Sequence, residues 1–465
     1  MIRDIDLQSI QEVRNYLEEA KSAQKIIQKM KQSEIDQIVE SMVNAAREEA
    51  ERLAAMAVEE TGFGNVADKT VKNLFAANDV YNAIKDMKTV GIVRRDEQNR
   101  VWEVAHPVGI VAGIVPSTNP TSTAIFKSLI AVKARNAIVF SPHPSAAKCT
   151  AEAARIMQEA AERAGAPKGL ISCIKQPTLP ATNELMRHKL TDLILATGGP
   201  GMVKAAYSSG KPAYGVGPGN VPVYIHESAD IAKTVQLIIQ SKTFDYGTIC
   251  ASEQALVVDQ SIKERVISEF KKQGAYFLNE EEKQKVASVI MVNGSLNAKI
   301  VGKSPQVIAE IAGIKVPSDT KLLIAEETNI GKEYPFSIEK LSTILAFYTV
   351  KDWHEGSDIC VKLLELGGLG HTLGIHCEDE KLIEAFTIDK PVARIIINSG
   401  TTFGGIGATT AIQPSLTLGC GSFGNNITSD NIGPQHLINI KRIAYGIREM
   451  QESNKQLKEK NPALT

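Results

Sequence analysis

A single cysteine, Cys250, lies in a loop whose composition suits nucleophilic chemistry. It follows a turn at Gly247, and small and polar residues separate it from the apolar run 255–258, which predicts a strand. A cysteine at the start of a strand has a fixed backbone and can present its sulfur to a cleft. Thiolate chemistry needs that combination, because the thiolate and not the thiol is the nucleophile. The alternative is a buried small hydrophobe, the commoner environment of a free cysteine.

Two glycine-rich stretches precede this loop. Thr197, Gly198 and Gly199 follow a predicted strand at 192–196 and lead into a predicted helix at 202–207. Glycines at such a turn let backbone amides approach a phosphate at the positive end of the helix. A tight turn without a ligand explains the pattern equally well, since it is not a full G-x-G-x-x-G. The second stretch, 214–220, leads into a strand at 221–225.

Length and composition indicate an ordinary soluble globular chain. The 465 residues suggest about three domains, or two large ones with an appendage. Fifty-two Lys and Arg against 53 Asp and Glu leave a net charge of -1, which argues against a general nucleic-acid or anionic-membrane surface.

The six cysteines are far apart and form no C-x-x-C pair, which argues against a zinc ribbon, a disulfide framework and a metal site. The N-terminus lacks the apolar core of a signal peptide, and no run of 18 apolar residues occurs. A soluble protein of the reducing cytoplasm is expected.

From about residue 100 the sequence alternates between predicted strands and predicted helices, and these elements position the candidate site residues. Strands separated by helices of ten or more residues predict βαβ units and a parallel sheet, so the fold class is α/β. A second series, beginning near residue 237, predicts a second α/β domain. The glycine-rich segments 400–407 and 417–426 are expected to line a site. The last elements are a predicted strand at 436–440 and a charged terminal helix at 441–460.

Four segments together resemble the aldehyde dehydrogenase superfamily: 115–120 (VPSTNP), 197–201 (TGGPG), 247–250 (GTIC) and 339–341 (EKL). Within it the chain is most similar to the CoA-acylating branch, in particular the aldehyde dehydrogenase half of bifunctional aldehyde-alcohol dehydrogenases and the ethanolamine-type acetaldehyde dehydrogenases. The resemblance runs from about residue 7 to 445.

The resemblance implies an architecture of three parts. A Rossmann-like cofactor-binding domain would comprise 1–97 and 109–236, and an α/β catalytic domain 237–425. A small β oligomerisation element would comprise 98–108 and 426–465, with the strand near 98–108 pairing with the segment after 426 across a dimer.

The resemblance also implies roles for single residues. Cys250 would form a thioester, and its backbone amide and the side chain of Asn119 would stabilise the oxyanion. Glu339 would hold the nicotinamide ribose. Read from the residues alone, Asn119 is a turn residue before Pro120, and Glu339 is a surface residue paired with Lys340. The other implied cofactor-binding positions are Pro116, Ser117, Thr118, Ser141, His143, Thr197, Gly198, Gly199 and Gly217.

The chain departs from the hydrolytic members of the superfamily at 214–220. Their matching segment carries a glutamate that activates the deacylating water, whereas this one contains no acid, and the nearest flanking acids are Asp192 and Glu227. Without a base, water attack on the thioester is expected to be slow, and the thiol of CoA can take the acyl group. His371 is a candidate proton acceptor for that thiol. A histidine hydrogen-bonded at a strand start is the alternative.

The resulting hypothesis is a reversible oxidoreductase that converts a short aldehyde, NAD and CoA to acyl-CoA and NADH. Acetaldehyde is the first choice of substrate, with propionaldehyde, succinate semialdehyde and sulfoacetaldehyde as alternatives. His143 occupies a position where hydrolytic relatives often have Lys, which leaves NADP open as the cofactor. A homodimer or homotetramer is expected, and association with a bacterial microcompartment shell or an alcohol dehydrogenase is a further hypothesis. The competing classes are a hydrolytic dehydrogenase and a non-catalytic scaffold.

Overall fold

The computed structural model describes residues 4–448. Within these residues the α-helices are α1 (Ile5–Ile27), α2 (Gln32–Glu48), α3 (Ala50–Thr61), α4 (Val66–Ile84), α5 (Pro120–Lys133), α6 (Ala147–Arg163), α7 (Leu179–Arg187), α8 (Pro200–Tyr207), α9 (Ile231–Thr243), α10 (Lys263–Lys272), α11 (Glu280–Ile290), α12 (Pro305–Ala312), α13 (Trp353–Gly367), α14 (Glu380–Thr387) and α15 (Thr401–Ile406).

The strands are β1 (Gly91–Asp96), β2 (Val101–Pro107), β3 (Ile110–Val115), β4 (Ala137–Pro142), β5 (Ile171–Cys173), β6 (Leu193–Thr197), β7 (Ala213–Val216), β8 (Val221–Ile225), β9 (Glu253–Asp259), β10 (Ala275–Phe277), β11 (Met291–Val292), β12 (Ser295–Leu296), β13 (Leu322–Glu326), β14 (Ile344–Val350), β15 (Gly370–His376), β16 (Val392–Ile397) and β17 (Ile438–Ala444).

The first large sheet has five parallel strands in the order β5-β4-β3-β6-β7. Its central strand, β3, is buried over its whole length, as expected for a strand covered by helices on both faces. The N-terminal helices pack onto this sheet, and their three- and four-residue apolar spacing places Val13, Leu17 and Ile38 in one core with it. Strand order reverses between β3 and β6, and ligands of open α/β sheets bind beyond the carboxyl ends of strands at such a switch.

The second large sheet has seven parallel strands in the order β10-β13-β14-β9-β8-β15-β16. Separate apolar clusters cover its two faces. β9 is the fourth of the seven strands, so the Cys250 loop leads into the middle of the sheet. Two large parallel sheets confirm the predicted α/β class.

The third sheet has three antiparallel strands in the order β1-β2-β17. The expected pairing of 98–108 with the segment after 426 occurs within the chain, where Ala105 of β2 lies opposite Ile440 of β17, and the role of this element in a dimer stays a prediction. The predicted terminal helix at 441–460 is wrong at its start, because 441–444 continue β17. Its part beyond residue 448 lies outside the described residues.

Two boundaries differ from the predicted domain limits. β8 was expected in the first domain, yet it pairs with β9 and β15 in the seven-stranded sheet, so the chain changes sheets at 217–220 and not near 237. β1, inside the predicted 1–97 segment, belongs to the three-stranded sheet. The reason is the same in both cases: an apolar run predicts a strand but does not say which neighbour its backbone will bond. The first residues of the glycine-rich stretch 214–220 are also part of strand β7.

Candidate active site

Cys250 packs against the apolar core of the five-stranded sheet and directly precedes a strand of the seven-stranded sheet. It occupies the turn just before β9, while Asn119 caps α5 beyond the carboxyl end of β3. All six cysteines lie in the described part of the chain, and Cys250 is the one that is half-buried, whereas the other five are buried. The position at the lip of a central strand therefore matches the prediction for a presented thiol.

The backbone leading to Cys250 is unusual. Asp245, Tyr246 and Gly247 all have positive φ, at 47°, 52° and 74°. Such a conformation is costly for residues other than glycine and persists only where surrounding contacts enforce it. The Asp245 side chain supplies them: it accepts hydrogen bonds from the Asn65 amide, the Lys69 ammonium and the Thr248 hydroxyl at 3.0, 2.8 and 2.7 Å.

The Asn119 side chain is directed at the Cys250 loop. Its Nδ2 donates to the Thr248 carbonyl at 3.3 Å and to the Thr118 hydroxyl at 3.1 Å. Its Oδ1 accepts from the ammonium of Lys72 at 2.6 Å. The residue that Asn119 contacts, Thr248, is two residues before Cys250. An amide donor at this place is suited to stabilise the oxygen that becomes negative when the sulfur adds to a carbonyl.

Burial raises the pKa of the Cys250 thiol to about 12, with a further contribution from the Glu339 carboxylate. The Arg394 guanidinium opposes this rise, and it also opposes the rise that burial causes in the pKa of Cys420. Arg394 is buried and bonds the carbonyls of His371, Gly419 and Ser429.

His371 is close to the Cys250 loop. Burial, aided by Arg394, lowers its pKa to about 3, which favours the neutral ring. Nδ1 lies 2.9 Å from the Thr372 hydroxyl, while Nε2 is buried without a partner. Gly219 lies between this ring and the Cys250 loop: a Cβ there would be 2.2 Å from the Cys250 carbonyl oxygen and 3.0 Å from His371 Cγ. The structure therefore brings His371, Gly219 and Cys250 together.

The Gly219→Ala variant is expected to lose at least about 100-fold in activity, because the added Cβ displaces the Cys250 backbone. It is also expected to lose about 1–3 kcal/mol of stability, as overpacked sites do. Gly217→Ala is the matched control for stability, since no heavy atom lies within 4 Å of its Cβ position. Melting curves and steady-state rates of both variants test this. Equal melting temperatures and a fully active Gly219→Ala enzyme would contradict the geometry.

A cavity of about 260 Å³ lies beyond the carboxyl ends of β3, β4 and β6. Six of the residues predicted to bind the cofactor line it, namely Pro116, Ser141, His143, Thr197, Gly198 and Gly199. Gly199 caps α8, and a Cβ built on it has no neighbour within 4 Å, so this turn faces open space. The first amides of a helix lack intrahelical partners and carry a partial positive charge. The space and the donors fit a dinucleotide phosphate.

The remaining predicted cofactor residues lie outside that cavity. Ser117 and Thr118 connect Pro116 to Asn119, and the Thr118 carbonyl accepts from Lys69 at 3.0 Å. Gly217 lines a separate cavity of about 490 Å³ beside α8, which also contacts Tyr207, Leu369 and Phe423. Glu339 is half-buried and accepts from the Gly219 amide at 2.8 Å, and burial raises its pKa to about 7.

Two of the residues predicted to bind the cofactor form hydrogen bonds within the protein. The Ser141 hydroxyl is buried and lies 2.8 Å from that of Thr182. His143 Nδ1 accepts from the Ser145 amide at 3.2 Å, and burial lowers the pKa of the ring. Both side chains therefore shape the wall of the cavity, and neither offers a free cation to a ligand phosphate.

The Gly199→Val variant is expected to weaken NAD⁺ binding at least about tenfold with little change in melting temperature. Its side chain would project into the open space over the α8 turn, where it meets no protein atom but would obstruct a dinucleotide. Calorimetric titration with NAD⁺ and a melting curve test this together. Unchanged affinity would mean that the turn is only structural.

Comparison with known proteins identifies the family. The model of the "Aldehyde dehydrogenase family" matches residues 1–290. The bifunctional aldehyde-alcohol dehydrogenase AdhE of Escherichia coli is 48% identical over 447 residues, or 95% of this chain, and the chain spans 50% of that protein's length. The chain belongs to the aldehyde dehydrogenase family. The family predicted from the sequence is thereby confirmed.

Solved structures of this family superpose closely. An acetylating aldehyde dehydrogenase from Geobacillus thermoglucosidasius is 83% identical with a TM-score of 0.96, over 97% of this chain and 100% of that one. A propionaldehyde dehydrogenase from Rhodopseudomonas palustris, solved with bound CoA and an acylated cysteine, is 27% identical with a TM-score of 0.85, over 93% and 97% of the two chains. The predicted aldehyde dehydrogenase-like fold is confirmed.

The two acids that flank 214–220 lie away from Cys250. Asp192 accepts from the Ile110 amide, at the amino end of β3. Glu227 follows the carboxyl end of β8, whereas Cys250 precedes the amino end of the neighbouring parallel strand β9. The carboxylate with a charge effect on Cys250 is instead Glu339.

Sequence reasoning missed four charged residues of this site: Lys69, Lys72, Asp245 and Arg394. Lys69 and Lys72 lie on α4, where charged residues are usually a solvated face, and Arg394 lies within an apolar strand. One signal was present in the sequence, because Lys69 and Lys72 are three apart and share one helix face.

No membrane-length apolar helix occurs between residues 4 and 448.

Proposed function

We propose that the chain is a CoA-acylating aldehyde dehydrogenase: aldehyde, CoA and NAD⁺ give acyl-CoA, NADH and a proton. The observation that carries this proposal is a half-buried Cys250 in a loop that the Asn119 amide contacts at the Thr248 carbonyl, beside a segment, 214–220, that supplies no carboxylate. The relatives named above support it, since one is acetylating and another was solved with CoA and an acylated cysteine.

In the first step the sulfur of Cys250 adds to the aldehyde carbon, and its proton is lost to solvent. The carbonyl oxygen becomes an alkoxide, which accepts hydrogen bonds from Asn119 Nδ2 and the Cys250 amide. In the resting structure Asn119 Nδ2 donates to the Thr248 carbonyl and the Thr118 hydroxyl, so one of these contacts would be exchanged for the alkoxide, whose negative charge makes it the stronger acceptor. Arg394 favours the thiolate because its charge lowers the pKa of Cys250.

The cofactor site would lie between the α8 turn and Glu339. Gly198 and Gly199 would receive the phosphates, and Glu339 would hold the nicotinamide ribose through its carboxylate. A bound nicotinamide would accept the hydride that the former aldehyde carbon loses when the alkoxide collapses, and that loss leaves an acyl thioester on Cys250. NAD is the proposed cofactor. NADP is the alternative, and a structure of a relative, an engineered glycolyl-CoA reductase, was solved with NADP⁺.

In the second step the CoA sulfur attacks the thioester carbon and Cys250 leaves as a thiolate. The thiol of CoA gives up its proton, for which His371 Nε2 is the proposed acceptor because it has no partner in the structure. Its low pKa means that the proton would be held only briefly. The cavity lined by Gly217, Leu369 and Phe423 is the proposed entry for the pantetheine arm.

The decisive assay follows NADH formation with aldehyde and NAD⁺, with and without CoA, and identifies the product. Acyl-CoA formed in amounts equal to NADH supports the proposal. Free acid formed at the same rate without CoA would identify a hydrolytic enzyme. No aldehyde-dependent NADH would favour a non-catalytic scaffold.

Acetaldehyde is the proposed substrate, supported by the acetylating relative. Relatives named for succinate semialdehyde and sulfoacetaldehyde share 37% and 38% identity with this chain, so charged aldehydes belong in the test. A panel of these aldehydes and propionaldehyde, ranked by kcat/KM, distinguishes them.

A homodimer or homotetramer formed through the three-stranded sheet is also proposed. Ile440, Ile443 and Tyr445 are exposed at and just beyond β17, and exposed apolar residues at a free strand edge favour association. Cytoplasmic location is proposed from the widely separated cysteines. Association with a microcompartment or an alcohol dehydrogenase is proposed from relatives of those kinds. Light scattering and co-purification test these assignments.

A further inference from the structure

We infer that Lys72 is a positioning residue that sets the orientation of the Asn119 side-chain amide and keeps its Nδ2 donor directed at the Cys250 loop. This inference rests on the proposed function, in which that donor meets the oxyanion. It adds a residue of the N-terminal helices to a site otherwise built from the two large sheets.

Lys72 is buried, and its ammonium makes three contacts. It donates to Asn119 Oδ1 at 2.6 Å, to the Thr248 hydroxyl at 2.8 Å and to the Asp245 carboxylate. An ammonium has three hydrogens and no acceptor, so these contacts use all of its donors. The Thr248 hydroxyl in turn donates to the Asp245 carboxylate at 2.7 Å, so each hydrogen bond in the network has one donor and one acceptor.

The contact to Asn119 decides which end of the amide faces the cysteine. An ammonium cannot accept a hydrogen bond, so Oδ1 must face Lys72 and Nδ2 must face the loop. If the amide were reversed, its NH₂ group would meet the ammonium and its carbonyl would meet the oxyanion. Both contacts would be repulsive. The cation also polarises the amide, and hydrogen bonds in such chains strengthen one another.

A neighbouring lysine, Lys69, allows the positioning of Asn119 to be distinguished from simple neutralisation of the Asp245 charge. Lys69 lies on the same face of α4, is equally buried and donates to the same Asp245 carboxylate at 2.8 Å. Its second contact is the Thr118 carbonyl, not Asn119. Substituting either lysine removes one cation from Asp245, but only the loss of Lys72 frees the amide.

The test compares Lys72→Met with Lys69→Met, Thr248→Val and Asn119→Ala. The readout is the rate constant of the NADH burst with aldehyde and NAD⁺ in the absence of CoA, because that phase includes oxyanion formation. Lys72→Met is expected to lower it about 100-fold, the range seen on loss of an oxyanion donor. Lys69→Met and Thr248→Val each remove one contact of Asp245 and are expected to slow the burst less than Lys72→Met does, because both leave the Asn119 amide bonded to Lys72. The Kd for NAD⁺ should change less than twofold, which shows an intact cofactor site.

A double variant makes the test independent of folding. If Lys72 acts through Asn119, Lys72→Met in an Asn119→Ala background should lower the burst rate by less than about threefold more. An additional loss of about 100-fold in that background would overturn the inference. So would equal effects of the Lys72 and Lys69 variants, or a Thr248→Val enzyme as slow as Lys72→Met. An inactive wild-type enzyme would instead refute the proposed function.

Discussion

The Cys250→Ala enzyme is expected to lose aldehyde-dependent NADH formation by a factor of at least about 10⁴. Removing a covalent nucleophile typically costs this much or more, because the remaining binding and oxyanion contacts cannot replace the bond that the nucleophile forms. The fold is expected to tolerate the change, since Cys250 is half-buried and an alanine side chain fits within the space of a cysteine. Initial rates at saturating aldehyde, NAD⁺ and CoA measure the effect.

Three other cysteines provide matched controls: Cys149, Cys173 and Cys360. All three are buried, and burial raises the pKa of each thiol above its usual value. Their alanine variants are expected to keep most of the activity. A Cys250→Ala enzyme as active as these controls would contradict the assignment of Cys250 as the nucleophile.

Omission of CoA is expected to reduce the reaction to about one NADH per active site, followed by turnover at least about 100-fold slower. Activation of water by a general base contributes roughly 10²–10⁴-fold, and residues 214–220 contain no carboxylate to provide it. CoA needs less help because a thiol is partly ionised near neutral pH and is a stronger nucleophile. The enzyme should therefore run ping-pong, with NADH leaving before CoA reacts.

Stopped-flow absorbance measures the burst, and mass spectrometry of the quenched enzyme should find the acyl group on Cys250. Steady multiple-turnover formation of free acid without CoA would mean that another carboxylate activates water. Glu339 is the first residue to test in that event. Its carboxylate contributes to the raised pKa of Cys250, and its own pKa of about 7 suits a general base.

The sequence predicted the α/β class and the position of Cys250 because both depend on local patterns. Apolar runs alternating with helical spacing need buried parallel strands, and a cysteine in a glycine turn before such a run is placed at a strand end wherever the strand pairs. The family resemblance added Asn119, Glu339 and His371. The structure brings all three close to the Cys250 loop through Thr248, Gly219 and the loop backbone.

Local patterns did not determine which strands pair. β8 was expected with the first sheet and lies in the second, and the pairing of β2 with β17 occurs within the chain. Backbone hydrogen bonds are the same for every sequence, so strand partners are chosen by the packing of whole faces.

The charged network behind the site was likewise decided by tertiary structure. Lys69 and Lys72 on α4 read as solvated surface, and Asp245 reads as a turn residue, yet packing brings them together from positions more than 170 residues apart. Each of these buried charges is stable only because the others compensate it. Sequence alone pointed to Cys250 as the candidate nucleophile, whereas the environment that orients the groups around it exists only when the helices and both sheets have assembled.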